Sequence, residues 1–119
     1  MSEANKAEIS AALGAHSLWK NRLKSAIATG KDAGSVQDAS VDNKCKFGQW
    51  IHALTGEATR SQNYLNVLKL HSEFHRVAGE VLRLATSGNK AGAEAKMADF
   101  DNASGVLVKA LMDWSKTFA

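Results

Sequence analysis

The sequence predicts an all-α fold, an antiparallel four-helix bundle with one shorter member. Three observations carry that expectation. The 119-residue chain contains no proline, the residue least tolerated inside a helix. Its apolar residues recur at steps of three, four or seven, the repeat of a single helix face. The interruptions between these stripes are short and polar, rich in the glycine, serine, asparagine and aspartate that cap and stop helices. No linker or internal repeat is visible, so residues 1–119 read as one domain.

The first stripe is Ile9, Leu13, His16, Leu23 and Ile27, with Trp19 beside it. It predicts one helix from about residue 3 to 28, closed by Gly30. Residues 31–41 are polar, with Gly34, Ser35, Asp38 and Ser40, and read as a loop. Asp42 or Asn43 is placed to cap a shorter second helix carrying Cys45, Phe47, Trp50, Ile51 and Leu54, which ends near Gly56. A third helix starts at Thr59 or Ser61 and shows Tyr64, Leu65, Leu68, His71, His75, Leu82 and Ala85 on one face before Ser87-Gly88 stops it. Asn89 caps the last helix, whose face is Met97, Phe100, Ser104, Leu107, Leu111, Trp114 and Phe118. The polar run Asp99-Phe100-Asp101-Asn102 marks a candidate kink there.

Composition excludes several classes. One cysteine rules out an intramolecular disulfide framework. The N-terminus MSEANKAEIS lacks the cationic and apolar pattern of a signal peptide, and no apolar run is long enough to span a membrane. A cytoplasmic domain is therefore expected. The formal net charge of +3 is small, and the basic residues are scattered among acids, which argues against nucleic-acid binding.

Chemistry concentrates in the histidines and the cysteine. His71 and His75 are four apart and so share a face one helical turn apart, within reach of one metal ion. Such a pair alone is weak evidence, and a lone inward histidine such as His16 is often a satisfied core residue. Cys45, near a helix N-terminus and between Lys44 and Lys46, is either an inert buried hydrophobe or a thiolate favoured by the helix dipole. Buried imidazoles without partners are costly, which makes a joint role more attractive than four separate ones. Three imidazoles and one thiolate suit tetrahedral zinc, whereas magnesium and calcium want oxygen ligands. The Glu-x-x-His pairs of a di-iron bundle are absent. His52 competes as a ligand, but two helical turns place its backbone ~10 Å from that of Cys45, so it is left outside the ligand set.

The blocks His16-Ser-Leu-Trp19-Lys, Cys45-Lys-Phe-Gly48-Gln-Trp50 and His71-Ser-Glu-Phe-His75 together resemble the chemoreceptor zinc-binding (CZB) domain. The resemblance spans roughly residues 10 to 116. It implies one zinc held by His16, Cys45, His71 and His75, with Trp19, Gly48 and Trp50 packing around the site. It also implies a homodimer serving as the regulatory part of a bacterial chemoreceptor or diguanylate cyclase, responsive to zinc level or to oxidants such as hypochlorous acid. Neither a signalling hairpin nor a cyclase motif is present in these residues, so the chain is an excised domain or a stand-alone member, which Met1 mildly favours.

Two alternatives stay open. In a zinc hydrolase the fourth position would hold water. In His71-x-Glu73-x-His75, however, the glutamate sits ~200° round the helix from the first histidine, unlike the zinc-protease pattern. In a metal-free dimerisation bundle, Trp19, Trp50 and Trp114 would simply pack. A cysteine–histidine nucleophile is weaker still, because no orienting Asn or Asp is identifiable.

Overall fold

Two long antiparallel helices, joined by a tight turn, form the spine of the fold in a computed structural model that describes residues 2–31, 36–41 and 45–117. In chain order the elements are α1 (Ser2–Ser17), α2 (Trp19–Thr29), α3 (Val36–Ser40), α4 (Lys46–Ala53), a 3-10 helix (Gly56–Arg60), α5 (Gln62–Thr86) and α6 (Lys90–Lys116). There is no strand among the described residues. The spine is α5 against α6. Its start and its turn are set by local capping: Ser61 Oγ accepts the Tyr64 N–H at 3.0 Å, and Asn89 Oδ1 accepts the Gly92 N–H at 2.9 Å.

The first predicted helix is broken in two at Leu18. The Leu18 N–H turns back to the Ala15 carbonyl three residues earlier, at 3.2 Å, and the Ser17 hydroxyl donates to the Gly14 carbonyl at 2.7 Å. Such local bonds compete with the regular ladder and tighten or bend a helix. The stripe nevertheless continues across the break, with Ile9, His16 and Leu23 all buried. Gly30 then ends α2 in the left-handed conformation, φ 73°, with its N–H on the Ala26 carbonyl.

Three further expectations change. The predicted loop 31–41 contains the short helix α3, docked on α5. The second helix stops at Ala53, and Gly56 opens a 3-10 helix that holds Thr59 and leads into Ser61. Asp99, Asp101 and Asn102 make no kink: α6 runs unbroken, and these three residues are its exposed face while Phe100 and Ala103 are buried. Asp101 meets Lys20 of α2 at 3.1 Å. The proposed caps Asp42 and Asn43, together with Phe118, lie outside the described residues.

The core lies between the spine and the α1–α2 arm, built on Ile9, Leu23, Phe74, Leu82, Phe100 and Leu107. At one end it is closed by aromatics from three helices. Trp50 of α4 packs on Trp114 of α6 with centroids 5.7 Å apart, and Tyr64 of α5 meets Trp114 at 6.1 Å. Leu65, expected on the inner face of α5, is instead 48% exposed; Val67, Phe74, Val77 and Val81 take the buried positions. No helix among the described residues is long and apolar enough to cross a membrane.

Candidate metal centre

The break between α1 and α2, the start of α4 and the middle of α5 meet at one point in the bundle, and each delivers a donor atom there. His16 comes from the last turn of α1, Cys45 from the position before α4, and His71 and His75 from successive turns of α5. His71 Nε2 is the hub. It lies 3.1 Å from His75 Nε2, 3.2 Å from His16 Nε2 and 3.4 Å from Cys45 Sγ. All four donor atoms fall within 4.8 Å of one another. The three imidazoles are buried at 4% exposure or less, and Cys45 is half-buried.

The tautomers of two rings follow from their partners. His16 Nδ1 lies 2.7 Å from the Ala12 carbonyl, and His75 Nδ1 lies 3.0 Å from the Ala39 carbonyl. A carbonyl only accepts, so each Nδ1 carries a proton, and in its neutral form each ring turns an Nε2 lone pair toward the hub. Metal-ligating histidines are held in this way.

Cys45 Sγ has a local role as well. It accepts the Gly48 N–H at 3.2 Å, making Cys45 the N-cap of α4 in extended conformation. That N–H, at the positive end of a helix, favours thiolate. Sequence reasoning placed the cap at Asp42 or Asn43 and so missed that the cysteine performs it. Gly48 itself is buried.

His71 differs from the other two rings. Its Nδ1 is buried with no hydrogen-bond partner among the described residues. Burial first, then repulsion from His75, His16 and the exposed His52, push its pKa down from 6.5 to about 2. Burial also lowers that of His16, against a smaller opposing effect of the Ala12 hydrogen bond. The ring of His71 is therefore neutral near pH 7. Among the described residues, its one proton has acceptors in reach only on the Nε2 side, where His16 Nε2, His75 Nε2 and the Cys45 sulfur converge. A single N–H serves one acceptor well; a cation serves all four donors. The cluster is suited to a metal ion.

Aromatic rings seal it. Phe47 stands edge-on to His71 at 5.0 Å, Phe74 to His16 at 5.0 Å, and Trp19 to His75 at 5.5 Å. Trp19 carries Arg22 over its ring at 4.5 Å, and Trp50 packs behind Phe47. The open side is a cleft of about 160 Å³ lined by Glu8, Ala12, His16, Trp19, Cys45 and Lys46 among others. His52 lies exposed in the last turn of α4 and is not part of the cluster.

The sequence model of the family described as "Chemoreceptor zinc-binding domain" matches residues 16–82, more than half of the chain and all four cluster residues. The chain belongs to the CZB family. This is a family of regulatory, sensory domains rather than of enzymes. No curated protein and no solved structure is similar enough to the chain to count as a match. The CZB match begins at the first cluster histidine and ends within α5, so α6 and most of α1 lie outside it. Those two helices nonetheless close the site: Ile9 and Ala12 of α1 and Phe100 of α6 are buried in the same core. Glu73, the candidate base of the hydrolase alternative, points outward and pairs with Arg76 on the exposed face of α5. Ala39, whose carbonyl holds His75, was not legible in the sequence, because a backbone acceptor has no side-chain signature.

Proposed function

We propose that this CZB domain is a zinc-binding regulatory module of bacterial signal transduction, of the chemotaxis or cyclic-di-GMP type. His16, Cys45, His71 and His75 hold one zinc ion. The observation that carries the reading is the hub geometry: two Nε2 lone pairs, fixed by backbone carbonyls, and a helix-capping sulfur all face His71 Nε2 at 3.1–3.4 Å. Tetrahedral zinc with bonds of ~2.0–2.1 Å to nitrogen and ~2.3 Å to sulfur separates its ligand atoms by about 3.3–3.6 Å. The three hub distances are already close to that spacing, and the donor pairs away from the hub, which span up to 4.8 Å, must close by about 1 Å to reach it.

Zinc supplies a double positive charge that links α1, α4 and α5. The chain does the rest. The Ala12 and Ala39 carbonyls hold two rings in the binding tautomer. The Gly48 N–H donates to the sulfur, and the aromatic wall excludes water from three of the four donors. Cys45, the half-buried ligand beside the cleft, is where a signal enters. A two-electron oxidant such as hypochlorous acid converts the Cys45 thiolate to sulfenic acid with release of chloride, removing a ligand and weakening the cap of α4. With one cysteine in the chain, reversal needs an external thiol. Changing zinc supply acts on the same ligands, because occupancy is linked to the packing of the helices that carry them. The module works as a homodimer that passes the change to a chemoreceptor or cyclase output.

Elemental analysis of protein purified without chelator tests the metal reading. One zinc per chain supports it; no zinc, even after reconstitution, rejects it in favour of a metal-free dimerisation bundle. Mass spectrometry after sub-stoichiometric hypochlorous acid should find Cys45 modified first. An unmodified Cys45 sinks the oxidant arm, and equal stability and oligomeric state with and without zinc sink the zinc-supply arm.

A further inference from the structure

The short helix α3 touches α5 at a point where no side chain fits. A Cβ added to Gly79 would lie 2.3 Å from Ser40 Cβ and 2.7 Å from Ser40 Cα. The second contact is with backbone, so no rotamer change relieves it; α3 itself would have to move. One turn before Gly79 on α5, His75 donates its Nδ1–H to the carbonyl of Ala39, the residue next to Ser40. The close approach and the hydrogen bond are therefore one contact, and it is what sets the tautomer of His75.

We propose that Gly79 is a positioning residue for the metal centre, and that α3 is a strap whose docking on α5 is coupled to metal occupancy. The inference rests on the zinc-binding reading above. Five residues are too few to hold a helix without tertiary support, so contacts with the rest of the chain place α3. Ala39 of that turn is buried and brings no large apolar surface. With α3 in place, His75 keeps its proton on Nδ1 and its lone pair on the donor side. With α3 displaced, Nδ1 loses the Ala39 carbonyl and the proton redistributes between the two nitrogens. Outer partners of metal-ligating histidines typically contribute 10–100-fold to affinity. Because linkage is reciprocal, metal binding must in turn hold α3 down.

Gly79→Ala decides the matter by sign. Gly79 is helical and buried, and alanine there would ordinarily strengthen the helix. If α3 is a strap, the substitution weakens zinc affinity 10–100-fold in competition with a chromophoric chelator, changes the ligand-field spectrum of the cobalt form, and moves the His75 imidazole ¹⁵N signals of the metal-free protein toward a tautomer mixture. Gly105→Ala, at an α6 position with nothing within 4 Å of the added Cβ, is the control and leaves all three unchanged. Adding Ser40→Gly to Gly79→Ala, which removes the tighter of the two contacts, should recover part of the affinity. Unchanged affinity and spectra in Gly79→Ala overturn the strap while leaving the metal site standing. A wild-type protein that takes up no zinc overturns the metal reading, and the strap's hold on His75 is then judged on the ¹⁵N signals alone. Should Gly79→Ala fail to fold, the wild type suffices: zinc must slow hydrogen exchange in a peptide covering Val36–Ser40, and equal exchange with and without zinc overturns the coupling.

Discussion

Helix α5 carries two opposite chemistries within ten residues. Its inner face presents His71, Phe74 and His75, all essentially without solvent contact. Its outer face presents Glu73, Arg76 and Glu80, and Arg76 reaches both carboxylates along the helix. Lys96 of α6 extends the outer network to Glu80 at 2.9 Å and to Asp99 at 3.4 Å. Both faces hold polar groups at hydrogen-bond distance, yet they differ in what replaces those bonds when they break. On the outer face water does, so pairing shifts the titration of these groups in the expected directions, Glu73 and Glu80 down and Arg76 up, with little consequence for stability. On the inner face nothing replaces a lost partner. There a removed donor leaves lone pairs facing each other in a dry pocket.

The largest effect that follows is on the hub. His71→Ala should lower zinc affinity by roughly 10²–10³-fold, an even share of the ~10–16 kcal/mol that a four-ligand structural zinc site provides near neutral pH. A chelator competition titration reads it. Affinity within threefold of wild type would mean that His71 is a packing residue and that the inner face is no different in kind from the outer.

Acid should separate the two faces next. The folded chain keeps His71 neutral down to about pH 2, because burial and then the neighbouring imidazoles oppose its charge; His16 is shifted the same way by burial. The unfolded chain protonates both near 6.5. Unfolded chain thus binds more protons below 6.5, so this contribution is complete above that pH and is lost as pH falls from 6.5 toward 2. The slope is about 1.4 kcal/mol per pH unit for each histidine still neutral in the fold. Urea midpoints of chelator-treated protein at pH 7.0 and 5.5 check it. The lowered carboxylates of the outer face also lose stabilisation in acid, but only below the ordinary carboxylate range. A loss confined to below pH 4.5 would assign acid sensitivity to the outer face instead.

What was legible in advance follows the same division between local and distant causes. The His71–His75 pair is a local fact of helix geometry, and the caps at Ser61 and Asn89 are local facts of side-chain type. The stripe through Ile9, His16 and Leu23 was visible too, although the break at Leu18 was not, because it arises from the Ser17 hydroxyl turning back on Gly14. That His16 meets His71 across 55 residues of chain is not a matter of spacing; the cost of burying lone imidazoles suggested it, and the resemblance made it specific. Helix α3 escaped notice because five residues show no periodicity and because the α5 residues it packs against, Gly79 among them, are far away in sequence. Asp99 to Asn102 misled in the opposite way. Their polarity looked like a break and was simply the outside of a helix.

Cys45 is both a candidate metal donor and the N-cap of α4, and two substitutions divide these roles. Cys45→Ser keeps an N-cap of good type while replacing a soft sulfur with a poor zinc donor; Cys45→Ala removes both. In metal-free protein the serine variant should match wild type within ~0.5 kcal/mol, and the alanine variant should fall about 1 kcal/mol below it. Both should lose most of their zinc affinity. Equal metal-free stabilities for the two variants would mean that the Gly48 N–H gains nothing from its cap, and that Cys45 is a ligand alone.

Arg76→Ala should do least, although Arg76 makes as many side-chain polar contacts as His71 at the hub, three each. Its guanidinium and both partner carboxylates are in water, held by long side chains whose ordering costs entropy, and salt screens what attraction is left. Removing it therefore costs no more than about 0.5 kcal/mol, and the alanine that replaces it is the better helix former. Thermal unfolding at low and at 0.5 M salt measures this, and the difference between wild type and variant should shrink as salt rises. A loss above 1.5 kcal/mol that persists in salt would show that the network joining α5 to Lys96 of α6 acts as a unit, and that the outer face, not only the inner one, fixes how the two spine helices are set.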